Sequence, residues 1–153
     1  MTGATAMPSN EARAAALVRS IEASIVGDSS VVAELYTDDV DGVSHAVHVT
    51  SAVELAVELE DRDDAFSDVE LVVNPLDVGG TSACVEWSAT ATHSGPLPID
   101  DDTAIGATGQ RVTLEGVTVA EFDGDRIRRF RQYGNERDVI ASLARDVSPN
   151  RRQ

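Results

Sequence analysis

Lysine is absent from this 153-residue chain: all 12 basic residues are arginine, set against 27 acidic ones for a net charge of -15. A uniformly negative field repels phosphate backbones, which excludes nucleic acid as a partner, and it argues equally against an anionic membrane surface. Cysteine occurs once, at Cys84, so no intrachain disulfide can form. Its apolar neighbours Val85 and Trp87 make it a buried, inert thiol. No run approaches the ~20 apolar residues of a membrane span, and Met1 to Asn10 has no apolar segment of signal-peptide length. A cytoplasmic protein is expected. Aromatic residues make up only 4% of the chain, so the core must be built from Val, Ala, Leu and Ile. There is no His/Cys cluster with zinc spacing, no glycine-rich phosphate loop and no nucleophile elbow. Asp100-Asp101-Asp102 lacks the spaced oxygens of a calcium loop. Neither a metal nor a cofactor is expected.

The length fits one domain, placed at residues 11–147 between a flexible N-terminus (1–10) and a flexible tail (148–153). Ser9 or Asn10 can cap a first helix in which Ala14, Leu17, Val18, Ile21 and Ile25 recur at helical spacing. A short second helix is read at Ser30 to Tyr36 and a strand at Val43 to Val49. Ser51-Ala52-Val53-Glu54 is a capping box opening a third helix. The period then switches to two. Gly79-Gly80 marks one hairpin and Asp123-Gly124 another. The long strand from Ala83 to Thr92 puts Val85, Trp87, Ala89 and Ala91 on one face. Gly95 to Gly109 reads as a loop, Arg111 to Phe122 and Arg126 to Asn135 as strands, and about Glu136 to Arg145 as a last helix. Helices first and mostly antiparallel strands after them argue an α+β fold.

The segments Gly27-Asp28, Leu35-Tyr36-Thr37-Asp38-Asp39-Val40, Thr92-His93-Ser94-Gly95, Glu121-Phe122-Asp123-Gly124-Asp125 and Arg131-Gln132-Tyr133-Gly134-Asn135 occur in an order that resembles the SnoaL-like polyketide cyclases of the NTF2-like superfamily. The resemblance implies a cone: a curved, mixed but mainly antiparallel sheet packed on N-terminal helices around an apolar pocket. It further implies a small hydrophobic or polyketide-like ligand and a homodimer formed through the open sheet face. Trp87, Ser44, His45 and Tyr36 are the expected ligand contacts.

In such cyclases an acidic residue ends the last strand and moves the proton. The matching position here is Asn135, whose amide can only donate and accept hydrogen bonds. By the same comparison, the catalytic base of ketosteroid isomerases falls on Ser44 and their helix-1 tyrosine on Ser20. The paired aspartates of the related epoxide hydrolases are also broken by Asn135. Three readings follow. The first is cofactor-free cyclisation, isomerisation or hydrolysis, with Tyr133 and Asn135 orienting substrate or water while His93 or a buried Glu carries the proton. The second is a non-catalytic binder that has lost its acid, and the third is a purely structural dimerisation domain. Strand alternation puts Tyr133 and Asn135 together on the pocket side and turns Glu136 away.

Overall fold

Hydrophobic spacing and turn chemistry are realised as a helical layer laid across a bent sheet. The computed structural model describes residues 10–44, 47–100 and 102–147. The expected flexible ends therefore lie outside the described residues, save Asn10, which opens the first helix.

That helix, α1 (Asn10–Val26), buries Leu17, Ile21 and Ile25 on one stripe and stops at Gly27. The glycine adopts φ +78°, and a Cβ there would sit 2.7 Å from the Arg62 backbone. Only glycine combines that backbone conformation with so close an approach. A 3-10 turn (Ser29–Val31), N-capped by the Asp28 carboxylate, leads into the one-turn α2 (Val32–Leu35). Strand β1 (Tyr36–Ser44) starts immediately after it. The hydrophobic pattern alone extends the second helix through Tyr36 and begins the strand at Val43. Asp38 and Asp39 in fact lie within β1, both exposed, in the stretch where its register with the last strand of the sheet shifts.

Strand β2 (Val47–Val49) folds back antiparallel on β1. Helix α3 (Ala52–Asp61) opens on the expected capping box: Ser51 accepts from the Glu54 N–H, and the Glu54 carboxylate accepts from Thr50. Strands β3 (Phe66–Gly79) and β4 (Ser82–His93) form the hairpin turned at Gly79-Gly80. The stretch read as one loop holds a small separate hairpin, β5 (Leu97–Asp100) and β6 (Thr103–Ile105), closed onto the core by Leu97 and Ile105. Strands β7 (Arg111–Asp123) and β8 (Arg126–Gly134) follow, then α4 (Glu136–Val147).

The main sheet runs β2-β1-β8-β7-β4-β3. Every neighbouring pair is antiparallel except β1 with β8. Leu17, Ile21, Val40, Val85, Ile127 and Leu143 are almost completely enclosed between the helices and the inner sheet face. Arg13 is the exception within this apolar layer. It is 4% exposed, donates to the carbonyls of Gly80 and Gly124, and lies 5.8 Å from the Phe122 ring centre. One guanidinium thus ties α1 to the β3–β4 and β7–β8 turns. Among the described residues no helix is long and apolar enough to cross a membrane.

A bulge in β8 decides what the inner face displays. Ile127 pairs with Phe122, yet Arg129 pairs with Glu121, so Arg128 is an extra residue with no partner position of its own. Arg128 and Arg129 both point out and ion-pair with Glu121. Beyond the bulge the parity is inverted: Phe130, Gln132 and Gly134 now face inward, in register with inner-face Ala120, Thr118 and Gly116.

Candidate functional site

The sheet curves away from α1 and α3 and leaves a cavity of about 540 Å³. Leu17 and Ile25 of α1 and Leu55 and Leu59 of α3 form one wall; Leu114, Ile127, Phe130 and Trp87 form the sheet side. Glycines create part of the room. Gly116 sits opposite Gly134, and a Cβ on Gly116 would come within 2.3 Å of the Tyr133 carbonyl and 3.0 Å of the Trp87 ring. Gly42 accepts the Phe130 ring across its bare Cα: an added Cβ would lie 2.2 Å from two ring atoms.

The interior polar groups are neutral. Tyr36 is buried, packs 5.8 Å from Phe130 between ring centres, and bonds to Ser20. Burial pushes its phenol up to about 12, only partly opposed by that bond, so it stays protonated near neutrality. Ser20 Oγ also donates to the Leu17 carbonyl at 2.7 Å. On the sheet, the Trp87 indole N–H donates to Thr118 Oγ1 at 3.0 Å, and Thr118 donates to Gln132 Oε1 at 3.2 Å. Charge gathers at the rim. Arg62 at the end of α3 and Glu136 at the start of α4 pair at 3.0 Å, each side chain less than a quarter exposed. Glu58, Glu115 and Asp138 join them, all exposed.

The structure brings Trp87, Tyr36 and Ser44 together in the cavity wall. His45 lies outside the described residues. His93 does not line the cavity. It is completely buried at the far end of β4, against Phe66. Its Nδ1 lies 2.9 Å from Thr108 Oγ1 and 3.3 Å from the Thr108 backbone nitrogen, leaving Nε2 on the opposite side of the ring. That Nε2 is enclosed without a hydrogen-bond partner. Burial pulls the imidazole below its ordinary value, and the nearby carbonyls of Gly95 and Ile105 only partly offset this. His93 is thus a core residue of the β5–β6 corner rather than a rim proton donor. His48 is exposed and pairs with Asp41 at 2.8 Å.

Tyr133 and Asn135 both border the cavity, but the bulge keeps them from standing side by side on its inner face. Tyr133 lies opposite Val117 on the outer face and is 61% exposed, touching the cavity only at its rim. Asn135 is taken up by β7. Its Oδ1 accepts from the Glu115 N–H at 2.9 Å, and its Nδ2 donates to the Thr113 carbonyl at 3.2 Å. The side chain therefore continues the sheet ladder one step past the last residue of β8, while the Asn135 carbonyl accepts the first bond of α4 from Val139. Glu136, which alternation turns away, lines the cavity because the chain becomes helical at that residue. Gln132 and Phe130 escape a reading by alternation, whereas Thr118 keeps phase with Leu114, Ala120 and Phe122. Nothing but the adjacent Arg128-Arg129 pair hints at the inverted parity. Among the described residues no group of three potential metal ligands is assembled.

Comparison with known proteins agrees with this geometry. Residues 17–130 match the family model described as a SnoaL-like domain. No curated protein matches the sequence. Among solved structures, a candidate SnoaL-like polyketide cyclase from Jannaschia sp. CCS1 superposes with TM-score 0.70 at 17% identity, over 88% of this chain and 92% of that one. AclR, a candidate hydroxylase from Streptomyces galilaeus, gives 0.68 at 23% identity, over 90% and 98%. An LEH-like epoxide hydrolase of M. tuberculosis gives 0.57 at 19% identity, over 92% and 96%. At these identities the structural likeness is one of fold. With a family match spanning most of its length, on a bent sheet that cups a cavity against N-terminal helices, the chain belongs to the SnoaL-like domain family and has the NTF2-like fold.

Proposed function

We propose that this protein binds a small, neutral, largely apolar organic molecule in the cavity between α1, α3 and the sheet. One observation carries the reading: a space of about 540 Å³ lies inside the fold, walled by apolar side chains and a few neutral hydrogen-bonding groups, with its charged residues gathered at the rim. A purely structural domain would fill such a space, because voids cost stability. The volume lies in the range typical of small-molecule sites. The relatives named as a polyketide cyclase and an epoxide hydrolase take their names from reactions on small organic molecules, which supports the same class of ligand here.

Trp87 is the only tryptophan and lies in the cavity wall, so its fluorescence reports occupancy directly. Titration with the neutral dye N-phenyl-1-naphthylamine should quench Trp87 and enhance the dye, saturating at one per chain. Val49→Phe, which puts a ring into the cavity from β2, should weaken binding by at least ten-fold. A dye that neither saturates nor quenches Trp87 would rule the reading out.

A second reading, cofactor-free acid/base chemistry, draws on Glu136. Its carboxylate is half-buried in the cavity wall beside Arg62 and is the group best placed to exchange a proton with a bound molecule. On that reading Glu136→Gln abolishes turnover while dye binding persists. Unchanged turnover removes Glu136 from the chemistry.

A further inference from the structure

We infer that the sheet side of the cavity selects ligands carrying a neutral hydrogen-bond acceptor, such as a ketone or quinone carbonyl, and that Gln132 is the residue that reads it. This rests on the cavity-binding reading and names the chemistry of its ligand.

The direction of one hydrogen-bond chain carries the inference. An indole N–H can only donate. Trp87 therefore makes Thr118 Oγ1 an acceptor, and the hydroxyl proton of Thr118 goes on to Gln132 Oε1. With its oxygen held, Gln132 presents its amide NH₂ to the space it lines, and among the described residues that NH₂ has no partner. Trp87 and Thr118 are both buried, 6% and 2% exposed, so the chain is anchored rather than loosely solvated. A free amide would rotate to suit either a donor or an acceptor; this one is oriented.

Charge narrows the acceptor further. The cavity rim holds Glu58, Glu115, Glu136 and Asp138 against Arg62 and Arg137, within a chain of net charge -15. A carboxylate or phosphate would enter against that field and lose its hydration to a neutral amide. A carbonyl on an apolar skeleton meets neither penalty. Thr118 and Trp87 act as positioning residues: they touch Gln132, directly or through one another, and so set which end of the amide faces the ligand.

Three probes of one shape test this by displacement of N-phenyl-1-naphthylamine: 9-fluorenone (acceptor), 9-fluorenol (donor and weaker acceptor) and fluorene (neither). Fluorenone should displace the dye at roughly ten-fold lower concentration than fluorene, the factor that one buried hydrogen bond supplies. Gln132→Met, close in volume, should erase that preference while leaving fluorene unchanged. Thr118→Val should bring fluorenone and fluorenol to near-equal displacement, because the amide is then free to turn; a merely structural Thr118 would weaken all three alike. Equal displacement by fluorenone and fluorene in the parent protein overturns the inference and leaves the cavity reading standing. Failure of the dye itself to bind overturns the cavity reading.

Discussion

Replacing Asn135 by Asp restores the residue type that the family pattern has at the end of the last strand, and the structure gives it a defined cost. Oδ1 could still accept from the Glu115 N–H. The other carboxylate oxygen, however, would stand where Nδ2 now donates to the Thr113 carbonyl at 3.2 Å. One hydrogen bond is exchanged for two facing acceptors, a loss of about 1–3 kcal/mol. The negative charge at the start of α4 returns roughly 0.3–1 kcal/mol. Asn135 is only half-buried, so solvent screening favours the lower end, and a net destabilisation of about 1 kcal/mol is expected.

The deficit should titrate. Once protonated, the introduced carboxyl can donate to the Thr113 carbonyl, so folding favours the protonated form and raises this group above its unfolded value of about 3.9. The folded state then holds the proton more tightly. Relative to the parent, the variant is undamaged below about pH 4 and loses stability as pH rises through the raised value, with the full deficit at neutral pH and above. Urea titrations followed by Trp87 fluorescence at several pH values, expressed as variant minus parent, measure this, with Asn135→Ala as a pH-insensitive control. A parent-like midpoint at pH 8, or a deficit that does not shrink on acidification, refutes the bridging role. On the same geometry N135D gains no catalytic activity, because the new carboxylate is held against the β7 backbone at the edge of the cavity; turnover gained on this substitution would refute that.

Arg13→Ala removes the donors to Gly80 and Gly124 from a buried position. It should cost about 2–3 kcal/mol, seen as a lower urea midpoint without loss of dye stoichiometry; a loss below a few tenths would show that the two turns hold without it. His93 is held neutral by burial, with its pKa lowered in the fold. Its stability contribution is intact above the unfolded value of about 6.5 and is lost as pH falls from there toward the lowered folded value. His93→Phe should therefore flatten the parent's stability change across that window; an identical acid-side slope in both proteins would contradict it.

Much of the fold is legible in the sequence because its signals are local. The capping box at Ser51–Glu54, the diglycine and Asp-Gly turns and the alternation of Val85, Trp87, Ala89 and Ala91 each state their own geometry within a few residues. The parts that mislead depend on partners. Leu97 and Ile105 look like loop residues until the core they cover is known. Asp38 and Asp39 fall inside a strand because β8 pairs with it on either side of them, at Tyr36 and at Asp41. The site is illegible for one reason in particular. Counting by twos from buried Ile127 leads inward to Arg129, Arg131 and Tyr133, and only the pairing with β7 reveals the extra residue at Arg128. Alternation carries Asn135 and Glu136 on as a continuing strand, whereas the helix begins between them.

That inserted arginine makes the strand's spelling frame-dependent. Deleting Arg128 would leave a regular ladder with the same residues facing the hollow, whereas pairing it in a regular strand would present two guanidiniums and a phenol there in place of a benzyl ring and an amide. A chain that loops the extra residue out and one that pairs it would share a scaffold and nearly the same letters while welcoming molecules of opposite polarity. The placing of that one unpaired residue is a coarser dial on ligand choice than any single substitution.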